Sequence, residues 1–411
     1  MTAPCAARLY GAEFAAAPQA VYNHLRQQFG PVAPVEIAPG VPAHLVIGYR
    51  AALDVLTGDT DTWSKDSRAW MATLPDTSEA RALAGMLAYR RNPLFTDGLL
   101  HARYRRVISD VFRMVEPHLL RTLVTEVADS LIRDFARTGQ ADLVTDFARP
   151  IPLRIFNRLY GRPDQDSAAL SEALNAMVDS QGESAARGNE AFTRYMTDLI
   201  RSKYAQPRQD LTSWIITHPA ELDQEEVRDN VVLSLGAANE PLGNLISNTI
   251  SRMLADDRYY STLTNGAMGV REALLEVLRD EPPMANYGPY FVRRPTELDG
   301  VRIRPTELVL VSYAAANTSP CDLPDGPRSD GGAHLAFGAG AHRCPAIDPA
   351  MLIAATAIER LILHLCDLEL SVPRTSLQWR PGPFHRALAH LPVKYTPIRP
   401  DQAGVTPWSS V

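Results

Sequence analysis

Residues 337–346 read FGAGAHRCPA and gather a cysteine, a histidine and two glycines into one short loop. Cysteine is scarce here: the chain of 411 residues has only four, Cys5, Cys321, Cys344 and Cys366. They form no Cys-x-x-Cys pair and no dense spacing. That argues against structural zinc and a disulfide framework, and fits a reducing cytoplasm. Cys344 stands just ahead of an apolar-periodic stretch that includes Met351, Leu352, Ile358, Leu361 and Ile362. The spacing predicts a helix there. The unpaired N–H groups at its start would favour a thiolate over a thiol. A thiolate so placed suits a metal ligand or a nucleophile. Gly338 and Gly340 permit conformations and close approaches that a side chain would block. An isolated cysteine is more often a small buried hydrophobe, and it is the frame that shifts the balance here.

Three other spacings could serve chemistry. His101 and Arg105 lie four residues apart in HARYR and would sit one helical turn apart, able to reach one anionic group. Glu276 and Arg279 in EVLR would share a helix face. The stretch AANEPL, residues 237–242, puts Glu240 and Pro241 inside a long helical pattern. Proline there removes a backbone donor, and the expectation is a kink or opening near Ala237.

These residues need elements to hold them. Residues 34–48 read as two short strands around a Pro/Gly turn. Helical patterns dominate from about 100 to 280, including 120–136 and 268–280. The longest is 224–255, opened by the capping pair Asp223 and Glu226 and striped by Val227, Val231, Leu235, Ala238, Leu242 and Leu245. Strand signals return over 301–313, a last helix runs over 346–365, and 380–396 reads as strands and turns. No repeat, low-complexity block or linker divides the chain. The expected architecture is mainly α with a small β portion, a single compact domain over 1–411. Composition agrees, with 45% apolar and 21% charged residues. A net charge of −6 gives no reason to expect nucleic acid. The start, MTAPCAARLYGAEF, lacks a basic segment followed by an apolar run, so neither a signal peptide nor a membrane anchor is expected.

The loop resembles the haem-binding signature of the cytochrome P450 family: Phe, Gly, any, Gly, any, His, any, Cys, any, Gly. Phe337, Gly338, Gly340, His342 and Cys344 are in register, and Ala346 replaces the final glycine. The resemblance extends over residues 20 to 396 in motif order. It implies the cytochrome P450 fold, a haem b cofactor and Cys344 as the axial ligand of its iron. Thiolate ligation pushes electron density toward iron and favours O–O cleavage. It implies that Phe337 and Gly338 pack near the haem and that His342 lies near a propionate. His101 and Arg105 would reach the propionates too, with Arg293 (or Arg294) as a further cation. Glu276 and Arg279 would pair structurally and be joined by Arg328.

By the same resemblance, AANEPL lies on the oxygen side, where the family usually has Ala/Gly-Gly-x-Asp/Glu-Thr. Ala237 and Ala238 are small, Glu240 takes the acid position, and Pro241 and Leu242 leave no hydroxyl. Asn239, Glu240 and Pro241 are the candidate catalytic residues. The threonine helps deliver protons, so its absence asks for another supply. The favoured reaction is oxidative aromatic coupling or cross-linking of a small-molecule or peptide natural product. A conventional monooxygenase hydroxylating a secondary metabolite is the alternative, and a haem sensor or interaction protein is the reading of another class.

Pocket candidates by resemblance are Trp70, Met71, Met177, Ala237, Ala238, Asn239, Tyr287, Tyr290, Phe384 and His385, whose aromatic and sulfur-bearing members suit an apolar ligand. No dinucleotide-binding glycine loop and no cluster-ligating cysteine set is present. Electrons are therefore expected from NAD(P)H through an external ferredoxin reductase and ferredoxin. Arg103, Arg106, Arg113 and Arg343 are the expected local positive face for the ferredoxin. A monomeric, cytoplasmic, bacterial enzyme without an anchor completes the expectation.

Overall fold

The longest helical pattern in the sequence becomes the longest helix described. In a computed structural model of the chain, Gln224–Ala255 is one continuous helix. The structure describes residues 6–162, 183–259, 269–319 and 334–398. Asp223 caps the helix as its sequence predicts: Oδ1 accepts from the N–H groups of Glu225 at 3.0 Å and Glu226 at 2.9 Å. Glu226 Oε2 accepts from the Asp223 N–H at 2.9 Å, which closes the capping box.

Pro241 lies inside the helix, which is continuous through the region where a kink or opening is expected. Its surroundings explain this. Leu242 to Ser251 are all buried, and the helix packs against Pro150–Leu159, Val270–Asp280 and Ile347–His364. Gly243 lets the Val144–Ala148 turn come close, since a Cβ there would lie 3.2 Å from Ala148 O. Burial on several sides outweighs the roughly 3 kcal/mol that an interior proline costs. One large apolar cluster joins these helices to Gly98–Arg113 and Pro117–Phe135 through Val107, Val124, Phe147, Val231, Ile246 and Leu361.

The β portion stands beside this body. Its strands are β1 (Ala7–Arg8), β2 (Val32–Ala38), β3 (Val41–Val46), β4 (Trp63–Ser64), β5 (Gln140–Asp142), β6 (Asn286–Val292), β7 (Thr296–Leu298), β8 (Val301–Ile303), β9 (Leu308–Ser312), β10 (Glu369–Leu370) and β11 (Pro392–Lys394). Six form one sheet in the order β1-β2-β3-β9-β6-β4. β2 and β3 are the expected antiparallel hairpin, with Val35 opposite Ala43. β9 joins β3 in parallel and β6 antiparallel. β4 closes the edge by pairing Trp63 with Val292 and Ser64 with Phe291. A bulge in β6 between Tyr287 and Tyr290 contains Gly288 at φ +71°. β10, β11 and β5 form a second sheet, and β7 and β8 a hairpin. Two apolar clusters cover the main sheet, and Met284 and Tyr287 pack against both. No helix among the described residues is long and apolar enough to cross a membrane.

Candidate functional site

The cysteine loop lies between the sheet and the Ile347–His364 helix. Gly338 donates its N–H to Leu335 O at 2.7 Å, and Cys344 donates its own to Phe337 O at 2.8 Å. A single 3-10 turn, Gly340–His342, fills the loop between them. Gly338 and Gly340 adopt φ +69° and +65°, the left-handed region that favours glycine. Gly340 serves a different contact from the one its motif suggests. A Cβ there would lie 2.3 Å from Leu56 O, so this glycine seats the loop on the Tyr49–Thr57 helix. Ala346, where the family signature has glycine, is at φ −114°, a conformation open to any residue.

Cys344 is half-buried as a residue, and desolvation of its thiol pushes the pKa up. Three groups oppose that: the Ala346 N–H aimed at the sulfur, then Arg105, then Arg343. Burial lowers the Arg105 pKa in turn, and Cys344 is the group that supports its charge. Burial outweighs all three, so the free sulfur is held as the thiol and not as the thiolate that the helix start alone would favour; a metal ion bound there would draw the proton off.

A basic cluster borders the loop. The His101 and His342 rings lie 4.1 Å apart, centroid to centroid. His342 Nδ1 pairs with Pro93 O at 3.1 Å. Burial, then neighbouring cations, hold both imidazoles neutral: His101 falls to about 4, with Arg105 as the next cause, and His342 to about 2, with Lys65 as the next. His101 Nε2, Ser67 Oγ and Tyr290 Oη are buried without a partner. Arg293 enters the cluster through Asp97, donating to its Oδ2 at 2.9 Å, while Arg294 turns to Thr62 Oγ1 at 3.2 Å. A buried thiol, unsatisfied buried donors and an excess of basic groups fit a haem with its acidic propionates. Cys344 would hold its iron, and His101, Arg105, His342 and Arg293 would face the carboxylates.

On the long helix, Gly236 and Ala237 are exposed although the helix is otherwise largely buried, and Ala238, Asn239, Glu240 and Pro241 are half-buried. Glu240 Oε1 accepts from Arg380 Nη2 and, at 3.4 Å, from Asn244 Nδ2. Arg380 also lines a cavity of about 300 Å³, together with Phe14, Tyr22, Trp379, His385 and Arg386. The Arg380 partnership has no sequence signal, because the two residues belong to distant segments.

Several expectations change. Glu276 and Arg279 do not pair with each other. Glu276 Oε2 accepts from Arg252 at 3.1 Å and Arg258 at 3.3 Å, and Arg279 Nε donates to Asp280 at 2.7 Å. The reason is reach: Arg252 and Arg258 come to Glu276 from the end of the neighbouring helix, and Asp280 adjoins Arg279. Arg328 and Met177 lie outside the described residues. Trp70 and Tyr290 are only 3% exposed each and belong to the sheet cores. Trp70 packs on Phe291 with ring centroids 5.7 Å apart, and Tyr290 meets Trp63 at 6.2 Å. Both are core residues because β6 carries Tyr290 and Phe291 against Trp63 of β4 and against Trp70 of the Arg68–Met71 turn of helix. Phe384 is also buried and meets the half-buried Tyr287 edge-on at 5.6 Å, and Met71 is half-buried nearby in the same cluster. Arg103 is not part of an open positive face: it donates to Glu226 at 2.8 Å and to the carbonyls of Ala220 and Glu221. Arg106 and Arg113 both pair with Asp110, whereas Arg343 is exposed.

Known proteins resemble the whole chain. No protein-family model matches it. The chain is 33% identical over 396 residues to the cytochrome P450 monooxygenase PikC of Streptomyces venezuelae, covering 94% of this chain and 92% of that protein. It is 30% identical to the mycinamicin IV hydroxylase/epoxidase of Micromonospora griseorubida, covering 79% of this chain and 89% of the other. Among solved structures, a myxobacterial cytochrome P450 in complex with myristic acid superposes with a TM-score of 0.82 at 26% identity, over 94% of this chain and 98% of that one.

Proposed function

The chain belongs to the cytochrome P450 family, and from that premise we propose that it inserts oxygen into an apolar secondary metabolite. Cys344 would hold the haem, which when bound would supply the activation of dioxygen. The rest is the work of the chain's own residues. The Ala346 N–H and Arg105 would support the ligating thiolate against the cost of burial. His101, His342, Arg105 and Arg293 fix the cofactor through its carboxylates. Ala237 and Ala238 keep the wall of the long helix thin enough for a substrate to approach.

One observation carries the choice of reaction. Glu240 keeps an acid on the oxygen-side helix although no hydroxyl follows it, and Arg380 and Asn244 hold it in place. A positioned carboxylate can hold and release a proton at its Oε atoms, and water can relay it. Relatives named as a monooxygenase and as a hydroxylase/epoxidase support the same reading. Oxidative coupling, the reaction favoured on the sequence alone, becomes the second reading; Pro241 and Leu242, where a hydroxyl is usual, are what support it.

Turnover under oxygen-18 dioxygen separates the two. Label in a new hydroxyl or epoxide of the product supports insertion. A product joined at two carbons or oxygens and free of label overturns it in favour of coupling. Haem binding with neither NAD(P)H consumption nor product would instead support a sensory protein. We place the enzyme in the cytoplasm as a monomer that receives electrons from a ferredoxin and its reductase. Exposed Arg343, next to Cys344, is the cation that supports docking of an acidic partner on that side.

A further inference from the structure

Lys65 has one of the most buried side chains described, at 1% exposure. The pairing of β4 with β6 delivers it there, because the residue after Ser64 must pass alongside Tyr290 and Pro289. Its Nζ donates to Pro289 O at 3.0 Å and lies 3.4 Å from the centre of the Tyr290 ring. An ammonium carries three donors. A neutral carbonyl takes one and a ring face attracts the charge, but among the described residues no carboxylate forms an ion pair with Nζ. Asp97 is the acid that supports it from further away. The Asp97 oxygens already accept from Ser64 Oγ, the Lys65 N–H and Arg293 Nη2.

A buried ammonium without an anion is costly. Burial takes the Lys65 pKa down to about 7, and Asp97 only partly opposes this. The neighbours deepen the imbalance. His101 and Arg105 come from the Gly98–Arg113 helix, His342 from the cysteine loop and Arg293 from the residue after β6. Lys65 itself depresses both imidazoles. Lys65, Arg105 and Arg293 thus bring positive charge to a region where Asp97 is the one carboxylate recorded beside them among the described residues, and His101 Nε2 and Tyr290 Oη lie buried without a partner. Such a cluster fits a ligand that brings more than one negative charge.

We propose that Lys65 is a cofactor-binding residue whose ammonium pairs with a carboxylate of the bound haem. The proposal rests on the haem reading above. It adds β4 to the elements that hold the cofactor. It also explains why a lysine is tolerated where the sheet would otherwise be apolar.

The test compares haem-loaded wild type with Lys65→Met, Lys65→Gln and Lys65→Arg. Two quantities are read: the reduction potential, and the rate of haem transfer to excess apomyoglobin. Losing a cation beside the haem favours the ferric state, so Met and Gln should lower the potential. They should also speed haem transfer roughly tenfold or more, the usual worth of a charge-assisted hydrogen bond. Lys65→Arg keeps the charge and should stay close to wild type in both. If Met fails to fold, Gln gives the same reading, since it can still bond to Pro289 O. Unchanged potential in the neutral variants overturns the proposal. So does equal haem loss in all three, which would mean shape and not charge matters. The reduced, carbon monoxide-bound spectrum of each protein keeps the two ideas apart. A thiolate band with unchanged potential sinks only the Lys65 assignment, whereas a wild type that binds no haem sinks the haem reading itself.

Discussion

Gly338 and Gly340 offer a matched pair for measuring what the cysteine loop requires. Both sit at positive φ, +69° and +65°. Alanine at either should pay the left-handed backbone cost of roughly 1–2 kcal/mol. The space around them differs. A Cβ at Gly338 would meet Arg343 Cα at 3.8 Å, an ordinary contact. At Gly340 it would meet Leu56 O at 2.3 Å, with Leu56 C and Thr57 Cα both at 3.2 Å. All three are backbone atoms of a helix, so no side chain can swing away. Forcing a methyl into such packing adds roughly 1–3 kcal/mol. Gly338→Ala should therefore cost about 1–2 kcal/mol and Gly340→Ala about 2–5 kcal/mol. An unfolding entropy of about 2.1 cal/mol/K per residue over 411 residues gives a slope of about 0.9 kcal/mol/K. The unfolding midpoint of the haem-loaded protein should fall by about 1–2 °C for Gly338→Ala and by about 2–6 °C for Gly340→Ala. Differential scanning calorimetry reads the midpoint, and the carbon monoxide spectrum reports whether the sulfur still reaches the iron. Equal shifts, or a larger one at Gly338, would refute the claim that Gly340 exists to seat the loop on Tyr49–Thr57.

Two further outcomes follow from named contacts. Arg380→Met should lower the product formed per NAD(P)H and raise the solvent isotope effect, with Arg380→Lys restoring part of both; the loss should reach about tenfold, since positioned proton donors contribute about 10²–10⁴-fold. Unchanged product yield in Arg380→Met would remove the Glu240–Arg380 pair from the account. Glu226 tests the fold in the same terms. Burial alone would raise its pKa, but Arg103 and Tyr104 more than offset this and bring it from 4.5 to about 2. A carboxyl lowered in the folded state stabilises fully above its unfolded value. That stability is lost as pH falls from about 4.5 toward 2. Urea midpoints stepped through that window should fall more steeply for wild type than for Glu226→Gln, by up to about 1.4 kcal/mol per pH unit. Parallel slopes would contradict the assignment.

The parts legible in the sequence are those governed by nearby residues. The cysteine loop is one, because Gly338 bonds to Leu335 and Cys344 to Phe337 within the same short segment, although the contact of Gly340 with Leu56 is not local. The Asp223 capping box is another, since its partner is three residues away. The β2–β3 hairpin and the helix after Cys344 were readable from turn residues and period. Partner choice across the fold was not. Glu276 and Arg279 share a helix face, yet Glu276 bonds to Arg252 and Arg258. Arg103 looked like a surface cation and instead holds the buried Glu226. Lys65 in WSKDSR gave no sign of burial, because the β4–β6 register is what hides it. Trp70 and Tyr290 read as pocket aromatics for the same reason, since packing against Phe291 and Trp63 is a tertiary fact. Pro241 signalled a kink or opening, and the helix is continuous there because it is packed on several sides.

The central claim is that Cys344 binds haem iron as a thiolate. The reduced, carbon monoxide-bound spectrum of the purified chain tests it most directly. The predicted result is the red-shifted band of a thiolate-ligated haem in wild type, lost in Cys344→Ala. A wild type whose band lies unshifted, or a Cys344→Ala protein that keeps the red-shifted band, would contradict it.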